Sequence, residues 1–461
     1  MNVKMNIIGV IGLMTVGVVS ASGLSIRSKI SSPTLYNAMD LSARDSYLSI
    51  APFLGKSFNP VHMAEAFTMN GKAYFNLNEQ GATTESPTVL ADMNPIIIGL
   101  TTLGAGSGST GDYKSTVELK PELKHYGALL HFYKKYNKFF GDVRSAVVST
   151  HTQVNIIETG GGNGAFGSMK TFEDAVSNKD RKYGKMGSLQ KKKGLENIQI
   201  MLGVINRFDD DAATHAPSNN MLTGYLLAEI PTGKGTTAEW VFEPRVGNNH
   251  GALGAGFEEY YVNDTATIVV GVAWRKFFDA KEKRSFDLKG KPWSRYIRVL
   301  SLPAPGTASF GIDYLTLDAT VNPGQQMDAY LRWVKKWNNV QGELSYNFFY
   351  HQKETLSNVA DFASSFGIYD AYSSSTTITA SSATINTYNP VEDTAANVAI
   401  EKDDLDLDSA AVGMIAVSSV AARLEYCKDS MRLGIGGSVE AAHSKAAYAA
   451  WNCWMNVAVL F

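Results

Sequence analysis

The sequence predicts an all-β fold, a transmembrane antiparallel up-and-down β-barrel of about 14 strands, with 12 to 16 allowed. Three observations predict it. The chain opens on an export leader. Its interior alternates with period two, and the faces agree across hairpins. It ends in alternating apolar residues that run to an aromatic, Phe461.

The leader comes first. Lys4 supplies a basic start, Ile7 to Val19 is apolar and uncharged, and Val19-Ser20-Ala21 fits a small-residue cleavage site. About 13 apolar residues are too few for a membrane-spanning helix. Residues 1–21 are therefore expected to be a signal peptide, 22–45 a periplasmic or plug segment, and 46–461 the barrel. No later stretch approaches 18 apolar residues. A short helix is expected at 34–46.

Composition agrees with a barrel. Apolar residues make up 44% of the 461, and charged residues only 19%, below the quarter usual in soluble proteins. Gly (41), Tyr (21) and Phe (21) are plentiful. A closed sheet can absorb such a length in one domain by adding strands. A net charge of −2 gives no reason to expect a nucleic-acid partner, and the run Lys191-Lys192-Lys193 reads as a solvated loop.

Four turns organise the sheet. A two-residue loop at Asn338-Asn339 pairs Trp333 with Leu344, Leu331 with Tyr346 and Ala329 with Phe348 on an apolar face. Arg332 with Ser345 and Tyr330 with Asn347 form the polar one. A turn at Asn137-Lys138 pairs Phe132 with Val143, Leu130 with Ser145 and His131 with Arg144. A turn at Lys428-Asp429 would pair Leu424 with Leu433, Tyr426 with Met431 and Glu425 with Arg432. One at Asn263-Asp264 would pair Phe257 with Val270, Ala255 with Val272 and Gly256 with Gly271, leaving Glu259 opposite Ile268. Fifteen candidate strands result, including 64–77, 113–124, 125–136 and 310–321. Even strand numbers are the rule, so at least one must fail. Long insertions at 78–112, 156–194 and 354–409 alternate with tight turns. This is the pattern of long outer loops and short periplasmic turns. Met169 to Ser177 is expected to form a short helix, and the Ser/Thr-rich 354–409 a loop.

In the last strand Phe461, Val459, Val457, Met455 and Cys453 alternate with Leu460, Ala458, Asn456 and Trp454. This resembles the C-terminal signal of bacterial outer-membrane β-barrel proteins. The resemblance implies residence in the outer membrane of a Gram-negative cell. It also implies partners in outer-membrane lipids and the barrel-assembly machinery, with Phe461, Val459, Val457 and Met455 as the assembly signal. A shorter likeness, Glu229-Ile230-Pro231-Thr232-Gly233, is similar to barrels of the phenol-degradation and fatty-acid transporter type, which take up hydrophobic substrates. The Asn-Pro-Ala hatch motif of that type is not evident near the N-terminus, and no binding residue is carried over from it.

The polar faces carry charge suited to a wet lumen. Arg423, Glu425, Arg432 and Glu440 fall on one set of inward faces; Asp328, Arg332 and Glu343 on another; His131 and Arg144 on a third. Opposed charges across a lumen order water and filter solutes. These nine are the candidate pore-lining residues. The opposing expectation is that they pair and plug the barrel. The function expected is an outer-membrane pore or transporter for passive or facilitated passage of small solutes. The alternative is a surface-exposed structural or adhesion barrel.

Catalytic and metal readings are weak. Ser149 and His151 share a face but should stand about 7 Å apart, without a third group to orient the base, so no enzyme is expected. His125 and His131, roughly 20 Å apart along one strand, cannot share an ion. The acidic run from Asp403 to Asp408 lacks the glycine and final glutamate of a calcium loop, and Asp209-Asp210-Asp211 reads the same way. No metal or cofactor is expected. Cys427 and Cys453 fall on strands separated by a third, too far apart for a disulfide.

Overall fold

The computed structural model describes residues 46–78, 114–160, 171–209, 219–263, 265–302, 308–369, 377–380 and 398–461. The expected leader, the 22–45 segment, the 34–46 helix except Ser46, which is extended, and most of the 78–112 insertion lie outside them.

Twelve antiparallel strands close into a ring. In chain order they are β1 (Ser46–Ser57), β2 (Lys114–Tyr136), β3 (Phe139–Gly160), β4 (Ile198–Asp209), β5 (Asn219–Ile230), β6 (Ala252–Val262), β7 (Ala266–Phe277), β8 (Gln325–Trp337), β9 (Val340–His351), β10 (Ile415–Lys428), β11 (Met431–Ala442) and β12 (Ala450–Leu460). Each pairs with the next, and β12 returns to β1, with Tyr47 opposite Leu460 and Ser57 opposite Ala450. Two short strands, Tyr74–Asn78 on β2 and Gln190–Leu195 on β3, extend the sheet above the ring, making fourteen strands in all.

The turns set the register. At Asn338 and Asn137 the two-residue loops are as expected, with Trp337 opposite Val340 and Tyr136 opposite Phe139. Both asparagines hold positive φ, 51° and 53°, a conformation that their short polar side chains tolerate. The other two hairpins correct the expected register by two residues. Lys428 pairs with Met431, so Tyr426 meets Leu433, Leu424 meets Ile435 and Arg432 faces Cys427. The loop is Asp429-Ser430, because Asp429 takes the positive φ (48°). At the 263 turn Phe257 meets Val272, Ala255 meets Trp274, Gly256 meets Ala273 and Glu259 meets Val270. Asn263 Oδ1 accepts from the backbone N–H of Thr265 and Ala266 and moves the turn one residue on. A shift of two leaves every side chain on its expected face.

Four candidate strands are corrected. Lys124 and His125 hold no turn, so 113–124 and 125–136 form the single 23-residue β2. Segment 64–77 is not a barrel strand. Asn59 caps a helix, Pro60–Glu65, by accepting from His62 N–H, and only Tyr74–Asn78 is extended. Segment 310–321 lies outside the ring; its strand Thr316–Asn322 pairs with Ala280–Ser285.

Outward faces are apolar all round the ring. Leu48, Ile50, Leu54, Leu202, Leu226, Leu331, Leu424, Met455 and Val457 are exposed. No soluble monomer presents a continuous belt of this kind to water. A closed sheet satisfies its backbone internally and can wear the belt in lipid. The chain is an outer-membrane barrel. Met455, Val457, Val459 and Phe461 belong to the belt, and the Phe461 backbone N–H donates to Ser46 O at the seam. Cys427 points inward and Cys453 outward, with β11 between their strands, and both are free.

Tight turns lie at one end and long connections at the other. The long connections fold into a cap with its own apolar cores, one built around Phe67, Phe75, Phe172, Trp293 and Tyr296, the other around Phe286, Val299, Leu315 and Phe366. Trp293 Nε1 donates to Phe67 O (2.8 Å) and Tyr296 Oη to Gly184 O (3.1 Å), tying three connections together. The helix Phe172–Val176, within the expected 169–177, is closed by a Thr171/Asp174 capping box. The 354–409 segment includes ordered pieces of this cap, Thr355–Ser357 and Phe366–Tyr369; Ser373 to Thr376 lie outside the described residues.

Candidate functional site: a charged layer inside the ring

The nine candidate residues all project inward. Eight are buried and Arg144 is half-buried. They do not line a broad wet surface. Arg332, Glu343 and Arg423 pair with one another, as do Glu425 and Arg432, and the other four are held by further inward side chains.

The largest cluster spans β8 to β12. Arg332 grips Glu343 with two bonds, Nε to Oε1 at 3.0 Å and Nη2 to Oε2 at 2.9 Å. Arg423 Nη2 donates to the same Oε2 at 2.7 Å. One carboxylate thus joins guanidinium groups from strands on both sides. Next to it Glu425 accepts from Gln341 Nε2 (2.6 Å) and Asn456 Nδ2 (3.0 Å), with Arg432 Nη1 at 3.6 Å. The expected pair of Glu425 and Arg432 is therefore present, although diagonal rather than directly opposite.

The second cluster sits on β2 and β3. Asp142 takes two bonds from Arg144, both 2.8 Å, and lies 2.7 Å from His131 Nε2, which also reaches Tyr47 Oη at 3.2 Å. Between the clusters the hydroxyls of Tyr260 and Tyr330 both donate to Glu258. The tyrosine rings lie over inward glycines of neighbouring strands. A Cβ on Gly271 would overlap the Tyr330 ring, and one on Gly256 would overlap Tyr225. What remains open beside Tyr47, Tyr133, Arg144, Tyr225 and Arg332 is a cavity of about 20 Å³, the size of one water.

A third group lies closer to the cap. Asp328 accepts from Gln326 Nε2 (3.0 Å), with Arg275 Nη2 at 3.5 Å, and Arg275 Nη1 donates to Glu229 at 2.7 Å. Glu440 accepts from Asn452 Nδ2 (3.2 Å), and Asn452 Oδ1 lies 2.8 Å from His125 Nε2. Sequence reasoning missed Asp142, Glu258, Glu229 and Arg275. Parity alone would have found three of them, Arg275 lying four residues after the inward Gly271. Asp142 is two residues before Arg144, and Glu258 is two after the inward Gly256.

In the cap, Glu282 lies between Arg284 Nη2 (2.8 Å) and His250 Nε2 (3.2 Å), and Arg284 also reaches Glu354 at 3.1 Å. Burial acts to raise the Glu282 carboxyl, but Arg284 and the His250 hydrogen bond outweigh it and hold it at about 2. It borders an open hollow of about 420 Å³ on the cap, lined by Tyr183, Thr236, Asn249, Lys283 and Asp318.

The dyad candidate is corrected in its geometry. Ser149 Oγ lies 3.2 Å from His151 Nε2, not 7 Å, because both side chains lean together; Tyr126 Oη lies 3.2 Å from the same nitrogen. All three are on the outer wall. The acidic run folds into the cap, where Leu405–Asp406 pairs with Asp287–Leu288 and Asp406 Oδ1 accepts from Ser409 N–H. Among the described residues no three metal-binding side chains converge.

No protein-family model and no curated protein matches the chain. Among solved structures it is similar to an outer-membrane channel of Pseudomonas putida F1, at 6% identity and a TM-score of 0.43, covering 93% of this chain and 99% of that one. It is also similar to the P. putida toluene transporter TodX, at 9% identity, TM-score 0.32 and 90% of both chains. A third is the transport unit of the Escherichia coli autotransporter AIDA-I, at 7% identity, TM-score 0.32, 93% of this chain and 95% of that one. Likenesses at this level fix neither register nor substrate.

Proposed function

We propose that the chain is an outer-membrane channel for small polar solutes, shut in this state by its charged layer. The observation that carries this reading is Glu343, held between Arg332 and Arg423 from both neighbouring strands inside a twelve-strand ring. A permanent plug has no need of such groups. Apolar residues of similar volume fill a buried space with equal or greater stability, because burying paired ions costs more desolvation than their attraction returns. A wall of paired charges, by contrast, is readily rehydrated once one pair opens. Arg332, Glu343, Arg423, Glu425 and Arg432 would form the constriction, and the cap hollow beside Glu282 the outer approach.

The test is conductance of the purified full chain in planar bilayers. The native protein is expected to show brief, infrequent steps, and Glu343→Ala longer and more frequent ones. Silence from both proteins across voltage and salt would sink the reading. A second reading, a surface structural or adhesion barrel, is favoured by the apolar cores of the cap. It predicts that unfolding the cap abolishes surface attachment while native conductance stays at zero.

A further inference from the structure

On the outer wall, four lysines gather on one flank. Along β2 the outward residues between Lys134 and Lys124 are Phe132, Leu130, Ala128 and Tyr126, none charged. Ten residues at about 3.3 Å each, tilted some 40°, give roughly 25 Å of height, that of the apolar band of an outer-membrane barrel. Lys124 therefore stands at the edge of the band nearer the cap. The register places Lys56 opposite Lys124, Lys124 opposite His151 and His151 opposite Lys191. This is one row over four adjacent strands, about 14 Å across. One step nearer the band, Ser149 lies opposite Lys193 and Tyr126.

Glu122 answers two of these charges, lying 2.9 Å from Lys56 Nζ and 2.5 Å from Lys124 Nζ. Lys191 and Lys193 are exposed, and no ion pair joins either to a carboxylate among the described residues. The row also carries neutral donors, the hydroxyls of Tyr126 and Ser149 around His151. Trp451, opposite Lys56, marks the interface below it. The far side of the barrel holds Lys276, whose Nζ donates to Asn322 Oδ1 (3.1 Å), and there Tyr346 and His443 satisfy Ser418.

We propose that Lys124, Lys191 and Lys193, with Lys56 and His151, form a binding site for a phosphate-bearing glycolipid headgroup of the outer leaflet. Acyl chains would lie on the band formed by Leu54, Tyr126 and Val147, and the phosphates against the lysine row. Continuity with the lipid-facing belt selects a membrane lipid over a soluble anion, and the surplus of positive charge selects a phosphorylated one. The site is independent of whether the lumen conducts.

The experiment titrates detergent-purified full chain with bisphosphorylated lipid A and with the same glycolipid stripped of its phosphates, with inorganic phosphate as competitor. The phosphorylated lipid should bind at least tenfold more tightly, and millimolar inorganic phosphate should not displace it. The triple variant Lys124→Ala, Lys191→Ala, Lys193→Ala should lose that preference while keeping the heat-modifiable gel mobility of a folded barrel. Equal binding of the two lipids by the native chain would overturn the proposal, as would an unaltered preference in the folded triple variant or displacement by phosphate. The comparison of the two lipids decides the matter even if the variant does not fold.

Discussion

The barrel interior and the cap are both filled, but in different proportions of charge and hydrocarbon. Inside the ring, ion pairs and tyrosines laid over glycine share the buried space with apolar groups such as Phe53, Leu129, Val148 and Trp454. In the cap it is taken mainly by Phe, Trp, Leu and Ile, with small charged groups such as Arg295 on Asp287 (2.7 Å) and Arg284 between Glu282 and Glu354. The difference shows which region is built to change state. An apolar core opens only by exposing hydrocarbon to water. A charged layer opens by exchanging one set of polar partners for another.

The largest effect that would test this contrast is expected at Glu343. Glu343→Ala leaves two buried guanidinium groups without their shared partner, a loss of roughly 3–5 kcal/mol in a closed interior. Water entry should absorb it, so thermal unfolding should fall by much less than that figure while conductance rises. A large thermal loss without conductance would break the comparison. In the cap, Trp293→Ala removes a buried ring and its bond to Phe67 O. It should cost about 3 kcal/mol, read as protease cleavage in the cap connections with the barrel intact. Acid should also act on the cap. The Glu282 carboxyl, held at about 2 against 4.5 unperturbed, contributes stability that is complete above pH 4.5 and lost as pH falls toward 2. The loss, on the order of 3 kcal/mol, should appear as accelerated hydrogen exchange at Ala280–Ser285, and Glu282→Gln should abolish its pH dependence. Smallest is Gly271→Ala. The added methyl displaces Tyr330 from its seat and from Glu258 at roughly 1–2 kcal/mol, which should sharpen the contrast by raising conductance without touching the cap.

The fold was legible where one rule governed. Period-two faces located eleven of the twelve ring strands directly, and β2 only in two halves, because parity survives an error in loop length. The exact register at 428 and 263 was not legible. It depends on which residue takes positive φ, and Asp429 and the Asn263 side chain decide that locally. Asn59-Pro60 signalled a helix start that the apolar run after it obscured. The site was half legible. Inward parity gave Arg332, Glu343 and Arg423. That Glu343 serves both arginines follows from strand neighbours 80 residues apart, which a single sequence does not order. Thr316–Asn322 alternates like a ring strand because it too has one buried face, turned to the cap.

The seam between β1 and β12 has a consequence for manufacture. The first ring strand, β1, pairs with β2 but meets its second partner only in the eleven-residue strand Ala450–Leu460. Until translation and secretion finish, the nascent sheet carries two raw edges that would template aggregation with any neighbouring chain. A product truncated even one strand short keeps them for life. Ring closure therefore rests on the one strand that meets β1 on its second edge, Ala450–Leu460.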